Sequence, residues 1–174
     1  MFPGYTYMRT YINDLSAKKG EEVSIMGWVD VRRDQGKMIF LDFRDMTGYV
    51  QGVVLPGSAA MDTAKELRTE WVVEVLGKVN ERPERNKQAD KQNGDIELEI
   101  LGITVLNKAE TPAFDVSGDG REIGEDVRLE KRYIDIRRPR LQKNIRMRHK
   151  IVKFIRDYLD KEKFIEVETP ILTK

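Results

Sequence analysis

Phe40 and Phe43 sit three positions apart in the run Lys37 to Arg44. A flat aromatic ring on a protein surface can stack on a nucleobase, a contact worth ~1–3 kcal/mol per base. Arg32 and Arg33 lie just upstream, and Arg82, Arg85 and Asn86 fall in a polar stretch farther along the chain. The planar guanidinium grips phosphates and base edges with paired hydrogen bonds. Together these residue types suit an unstacked single strand, the usual target of sequence-specific RNA recognition. Each also has a plain structural reading. Of two rings at odd spacing on a strand, one faces inward and one outward. Arginines at a turn are commonly solvated, and the stretch from Asn80 to Asp95 balances its bases with acids.

Other chemistries find little support. The chain has no cysteine, which removes disulfides, thiolate metal sites and thiol nucleophiles together. Its one histidine, His149, lies in a basic segment and reads as an exposed helix position. No His, Asp and Glu residues fall at zinc-ligand spacing, and no phosphate-binding glycine loop is present. Arg137-Arg138-Pro139-Arg140 could meet an anion or an RNA backbone, or simply lead into a charged helix.

The elements that would position these residues follow from periodicity. Glu22 to Val31 alternates Val23, Ile25, Gly27, Val29 and Val31 with Ser24, Met26, Trp28 and Asp30, the period of a strand. Arg-Arg-Asp-Gln-Gly then reads as a polar turn. Lys37 to Arg44 is a second strand, Asp45 to Gly48 a tight turn, and Tyr49 to Leu55 a third strand, making a hairpin. Ser58 to Arg68 changes to helical spacing, with Ser58 as its expected N-cap. Trp71 to Val79 and Ile96 to Leu106 are two further strands flanking the polar stretch. Five strands with a helix between the third and fourth are the plan of an OB-fold Greek-key barrel. An SH3-like barrel or a small sandwich is the rival plan. In OB barrels, the face of strands 2 and 3 and the loops after strands 1 and 4 bind oligonucleotides. That is where the arginines and phenylalanines fall.

Composition divides the 174 residues unevenly. The 31 basic and 30 acidic residues nearly cancel, yet acids crowd residues 110–126 and bases crowd residues 128–150. Proline and glycines mark the changeover, so the expected organisation is a barrel over 1–109, a linker over 110–127 and a second domain starting at 128. In that second part, Leu141 to Lys161 has one apolar helical face, and Phe164 to Thr169 reads as a strand stopped by Pro170. An apolar strand this near the terminus suggests a piece of something longer. No apolar stretch approaches the ~20 residues a membrane span needs. The first seven residues lack the basic start and apolar run of a signal peptide.

Several segments are also familiar. Gly27-Trp28-Val29, Arg32-Arg33-Asp34, Gly36, Ile39-Phe40 and Arg44-Asp45, with Gly48 and Gln51, resemble the anticodon-binding barrel of aspartyl-tRNA synthetases. Arg128, Arg132-Tyr133, Asp135 and Arg137-Arg138-Pro139 resemble the approach to their catalytic domain. Phe164 to Lys174 resembles motif 1, the helix and strand that open the α+β catalytic domain of class II synthetases. The resemblance runs from Met8 onward, and the Arg-Arg-Pro triplet favours the aspartate family over its asparagine and lysine relatives. It implies that Phe40 stacks on the central anticodon base, a uridine in aspartate tRNA, with Arg33 and Gln51 contacting the same base. It implies that Arg82, Asn86 and Glu97 help read the flanking bases, and that Pro170 belongs to the dimer interface. Further implications concern the full-length parent: a cytoplasmic homodimer that activates aspartate with ATP and Mg2+ and transfers it to tRNA(Asp), with tRNA(Asn) as a second possible acceptor. Motifs 2 and 3, which carry that chemistry, are not in this sequence, so no catalytic or metal residue is expected here and the 174 residues alone should be inactive. The alternative is a free-standing OB module that binds single strands without sequence preference.

Overall fold

A computed structural model describes residues 8–169. Two compact units, Met1–Thr111 and Pro112–Lys174, divide the chain. Pro170 lies outside the described residues.

The first unit is a closed five-stranded barrel in the order β1-β2-β3-β5-β4. Its strands are β1 Glu22–Asp34, β2 Ile39–Arg44, β3 Tyr49–Val54, β4 Val72–Glu81 and β5 Ile96–Asn107. Helix α1, Met61–Glu66, joins β3 to β4. All pairings are antiparallel except β3 with β5, which run parallel over two residue pairs, Gly52↔Leu98 and Val53↔Glu99. This short seam closes the barrel and leaves no long open edge.

The closure follows from alternation. Ile39, Leu41 and Phe43 of β2, Val73, Val75 and Val79 of β4, and Ile96, Leu98 and Ile100 of β5 are fully or almost fully buried. Ile12 and Leu15 from a short 3-10 helix, Ile12–Ala17, and Ala60, Ala64 and Leu67 around α1 join the same core. Burying an aliphatic or aromatic side chain of this size contributes ~1.5–3 kcal/mol. Close approach fixes one glycine: a Cβ on Gly27 would lie 2.3 Å from the Arg44 carbonyl oxygen.

Two expectations change in the barrel. The polar Arg32-Arg33-Asp34 is not a turn; it extends β1 and pairs with Leu41, Phe40 and Ile39. Only residues 35–38 turn the chain, with Gly36 at φ 79° and Gln35 N–H donating to Met38 O at 2.9 Å. Ser58 is not the N-cap either: Ala60 holds that position, while the Ser58 hydroxyl accepts from Ala60 N–H and donates to Ile100 O.

The second unit holds α2 Glu125–Glu130, α3 Arg132–Asp135 and α4 Pro139–Lys161. Pro139 suits the first turn of α4, where its missing N–H has no partner to lose. Arg138 is wholly buried and structural. Its Nε donates to Asp135 at 2.9 Å, one terminal nitrogen donates to Gly118 O at 3.1 Å, and its guanidinium lies over the Phe114 ring. His149 is exposed on α4. The strand expected over 164–169 is not formed: these residues have no regular structure, and Ile165 and Val167 are exposed. A strand is held by a neighbour's ladder, and none pairs here among the described residues. Glu166 instead pairs with Arg156 at 2.8 Å.

Candidate nucleic-acid interface

Period two sorts β2 into a core row, Ile39, Leu41 and Phe43, and an outer row, Phe40, Asp42 and Arg44. Phe43 is fully buried, whereas Phe40 is half-buried on the outside. The outer row faces Val53, Gln51 and Tyr49 of β3 across the hairpin.

Arg33 reaches this face through a bulge. Trp28 lies opposite Arg44 and Val29 opposite Phe43, but the register then shifts so that Val31 meets Asp42 and Arg33 meets Phe40. Unbroken alternation from Trp28 would have turned Arg33 toward the core; one extra residue reverses the parity. Arg33 is exposed and donates to Asp42 at 2.9 Å.

The other side comes from β4, β5 and the loop between them. Arg82 follows β4 directly, buried, with its N–H donating to Asp95 O at 2.9 Å. Asn86 ends a 3-10 turn, Glu84–Asn86, and is exposed. Glu97, half-buried on β5, sits opposite Asn80 and beside the seam that brings Leu98 against Gly52.

These pieces enclose a hollow of about 350 Å³ lined by Phe40, Gln51, Arg82, Asn86 and Glu97, with Arg85, Lys87 and Gln88 completing its wall. Five of the six residues expected to read an anticodon therefore share one cavity. The sixth, Arg33, lines an adjoining hollow of about 270 Å³ with Asp30, Asp42 and Tyr49, and Gln51 and Arg82 belong to both. A flat ring flanked by amides, arginines and one carboxylate offers stacking with donors and acceptors around it, which is what an unstacked base requires.

A hydrogen-bonded chain crosses the two hollows. Arg82 donates to Gln51 Oε1 at 2.7 Å, Gln51 Nε2 donates to Asp42 at 3.2 Å, and Arg33 donates to the same carboxylate. The Arg82 Nε–H is buried and has no hydrogen-bond partner among the described residues. Burial pushes the Asp30 carboxyl above its ordinary 3.8, opposed by Arg44. Burial also raises the Tyr49 phenol, helped by the Asp30 charge.

The loop is tied down at its far end. Asn93, at φ 53°, donates to Ile12 O at 3.0 Å and Tyr49 O at 2.9 Å, and Gln92 donates to Thr47 O at 3.1 Å. Lys19 pairs with Asp95 at 2.8 Å, and Lys87 with Glu81 at 3.1 Å.

Sequence reasoning missed Asp42. Its signal was available: it lies two positions beyond Phe40, on the same face by strand period. Among the described residues no group of His, Asp and Glu side chains could hold a metal ion, and no helix is long and apolar enough to cross a membrane.

Two family profiles match the chain. One, described as an OB-fold nucleic acid binding domain, covers residues 23–106, and the other, tRNA synthetases class II (D, K and N), covers residues 124–174. The aspartate–tRNA(Asp/Asn) ligase of Halothermothrix orenii is 46% identical over 167 residues, which is 94% of this chain and 28% of that protein. The enzyme of the same name from Bacillus subtilis is 43% identical over 173 residues, 98% of this chain and 29% of the relative. The chain thus spans somewhat over a quarter of the length of the curated relatives it matches. Among solved structures, the aspartyl-tRNA synthetase of Entamoeba histolytica superposes with a TM-score of 0.84 at 21% identity, covering 99% of this chain and 42% of the other, a likeness of fold. The asparaginyl-tRNA synthetase of Pyrococcus horikoshii complexed with asparaginyl-adenylate gives 0.77 at 26% identity, covering 95% and 37%. The chain is thus similar along nearly all its length to aspartate–tRNA ligases, at 43% and 46% identity to these two, through an OB-fold nucleic acid binding segment and then a class II (D, K and N) tRNA synthetase segment in that order.

Proposed function

We propose that the barrel reads the anticodon of tRNA(Asp) on behalf of an aspartate–tRNA ligase. The supporting observation is the Phe40 ring on the outer face of β2, inside one hollow with Gln51, Arg82, Asn86 and Glu97 while Phe43 fills the core. Phe40 stacks on the central uridine, and Arg33 and Gln51 meet its edge. Arg82, Asn86 and Glu97 lie along the wall where the flanking bases would pass. The full-length enzyme activates aspartate with ATP and Mg2+ and works as a cytoplasmic homodimer, with Pro170 in its interface. The residues for ATP and Mg2+ belong to motifs 2 and 3, so these 174 residues bind RNA but do not aminoacylate it. Barrel domain, linker and catalytic start fall at 1–109, 110–127 and 128–174 in this reading.

Titration of a labelled anticodon stem-loop tests it. Phe40→Ala is expected to weaken binding by ~1–3 kcal/mol, the usual value of one base–aromatic stack. Equal affinity of wild type and variant removes the stacking role. Relatives are named for both tRNA(Asp) and tRNA(Asn), whose codons share a central adenine, so a central uridine on Phe40 serves either. A free-standing single-strand binder would instead ignore the identity of that base.

A further inference from the structure

We infer that Asp42 is a positioning residue that, together with Arg82, fixes which way the Gln51 amide faces, and so sets the donor and acceptor pattern shown to the base on Phe40. The inference rests on the anticodon reading above. An amide's oxygen and nitrogen differ little in size, so only its neighbours decide its orientation. Here the neighbours allow one answer. A carboxylate only accepts, and Asp42 takes the Gln51 Nε2–H at 3.2 Å. A guanidinium only donates, and Arg82 gives to Gln51 Oε1 at 2.7 Å. Turning the amide over would set donor against donor at Arg82 and acceptor against acceptor at Asp42.

The pinned amide keeps one N–H and one oxygen lone pair for a ligand, each on a known side. Uracil presents acceptor, donor, acceptor along its pairing edge. Cytosine presents donor, acceptor, acceptor. An amide free to turn over would match either edge; a pinned one separates them. Asp42 lines only the adjoining hollow and not the one that holds Phe40, so it acts on the base through Gln51. The same carboxylate also accepts from Arg33 at 2.9 Å, but a guanidinium donates whichever way it turns, so the pattern is set through Gln51.

Asp42→Asn is the decisive variant. It keeps size and hydrogen bonding, but an asparagine amide both donates and accepts, so it withdraws one of the two constraints on the Gln51 amide and leaves Arg82 alone to hold it. The readout is the ratio of affinities of the 174-residue chain for two hairpins differing only in a central uridine or cytidine, measured by fluorescence anisotropy. Wild type is expected to prefer uridine, and Asp42→Asn to reduce that preference severalfold, short of the roughly tenfold that loss of one base-edge pairing gives. Its unfolding midpoint should match wild type, which separates positioning from folding. Gln51→Ala should lose the preference by itself, and adding Asp42→Asn to it should change the ratio no further. A wild-type ratio in Asp42→Asn overturns the inference, as does a further change of the ratio in the Gln51→Ala background. If wild type binds neither hairpin, the anticodon reading falls and the inference with it.

Discussion

Arg44 leaves the outer face of β2 and ends between two carboxylates. It meets Asp30 at 3.0 Å and the buried Glu70 in a closer contact, with its guanidinium 5.8 Å from the Trp28 ring centroid. Arg44 and Glu70 are both buried, so neither charge can recover its water if the other is removed. Arg44→Ala is therefore expected to lower stability by ~3–5 kcal/mol, read as a shift of the urea unfolding midpoint. Replacing a buried ionic cluster wholesale by packed apolar residues would cost far less, because no stranded charge remains. Phe40 and Phe43 show how much of this scale is legible in one sequence. Their spacing guarantees opposite faces, but which ring is inside depends on the register with Val53 and Val50, set by the whole hairpin. Arg138 is ambiguous in the sequence for a similar reason: its buried partner Asp135 lies one helical turn away, but Gly118 and Phe114 come from well before it in the chain.

At the scale of elements, the loop from β4 to β5 matters most, because it carries Arg82 and Asn86 and is held by polar contacts with little core of its own. Its anchors carry a pH signature. The Lys87 ammonium, with Lys19 adding to it, holds the Glu81 carboxyl below its ordinary 4.5, and Lys19 holds Asp95 below 3.8. A lowered carboxyl contributes stability that is present above its ordinary value and lost as pH falls through the lowered one. Acid below about pH 4 should thus loosen the loop before the barrel core. Carboxyl-carbon NMR titration should show both groups titrating low, and Lys19→Ala should return Asp95 toward 3.8. The strands themselves were legible from alternation, since each buries one clear face. What alternation hid was the bulge between Val29 and Val31, which carries Arg33 to the outer face. A bulge has no compositional mark here, because both of its flanks are apolar. The expected strand over 164–169 failed for the converse reason: its residues suit a sheet, but a strand is a property of two segments.

For the whole molecule, a net charge of +1 argues against strong long-range attraction to RNA. At the site, Arg33 is already paired with Asp42, and Lys87 with Glu81 and Glu84. Few phosphates can then be neutralised without breaking internal pairs. Hairpin affinity should fall with salt along a slope of about −2 in log–log form, given ~0.7 per phosphate for single strands. A slope several times steeper would mean that the basic segment after residue 128 also grips the RNA backbone. The seam between β3 and β5 matters beyond topology. Gln51 precedes Gly52 on one side of it, and Glu97 precedes Leu98 on the other. An anticodon whose central base met Gln51 and whose flanking base met Glu97 would act as a staple across the shortest pairing of the cylinder, so that occupancy and closure would reinforce each other. RNA at a hundredfold excess over its dissociation constant would add about 2.7 kcal/mol against opening.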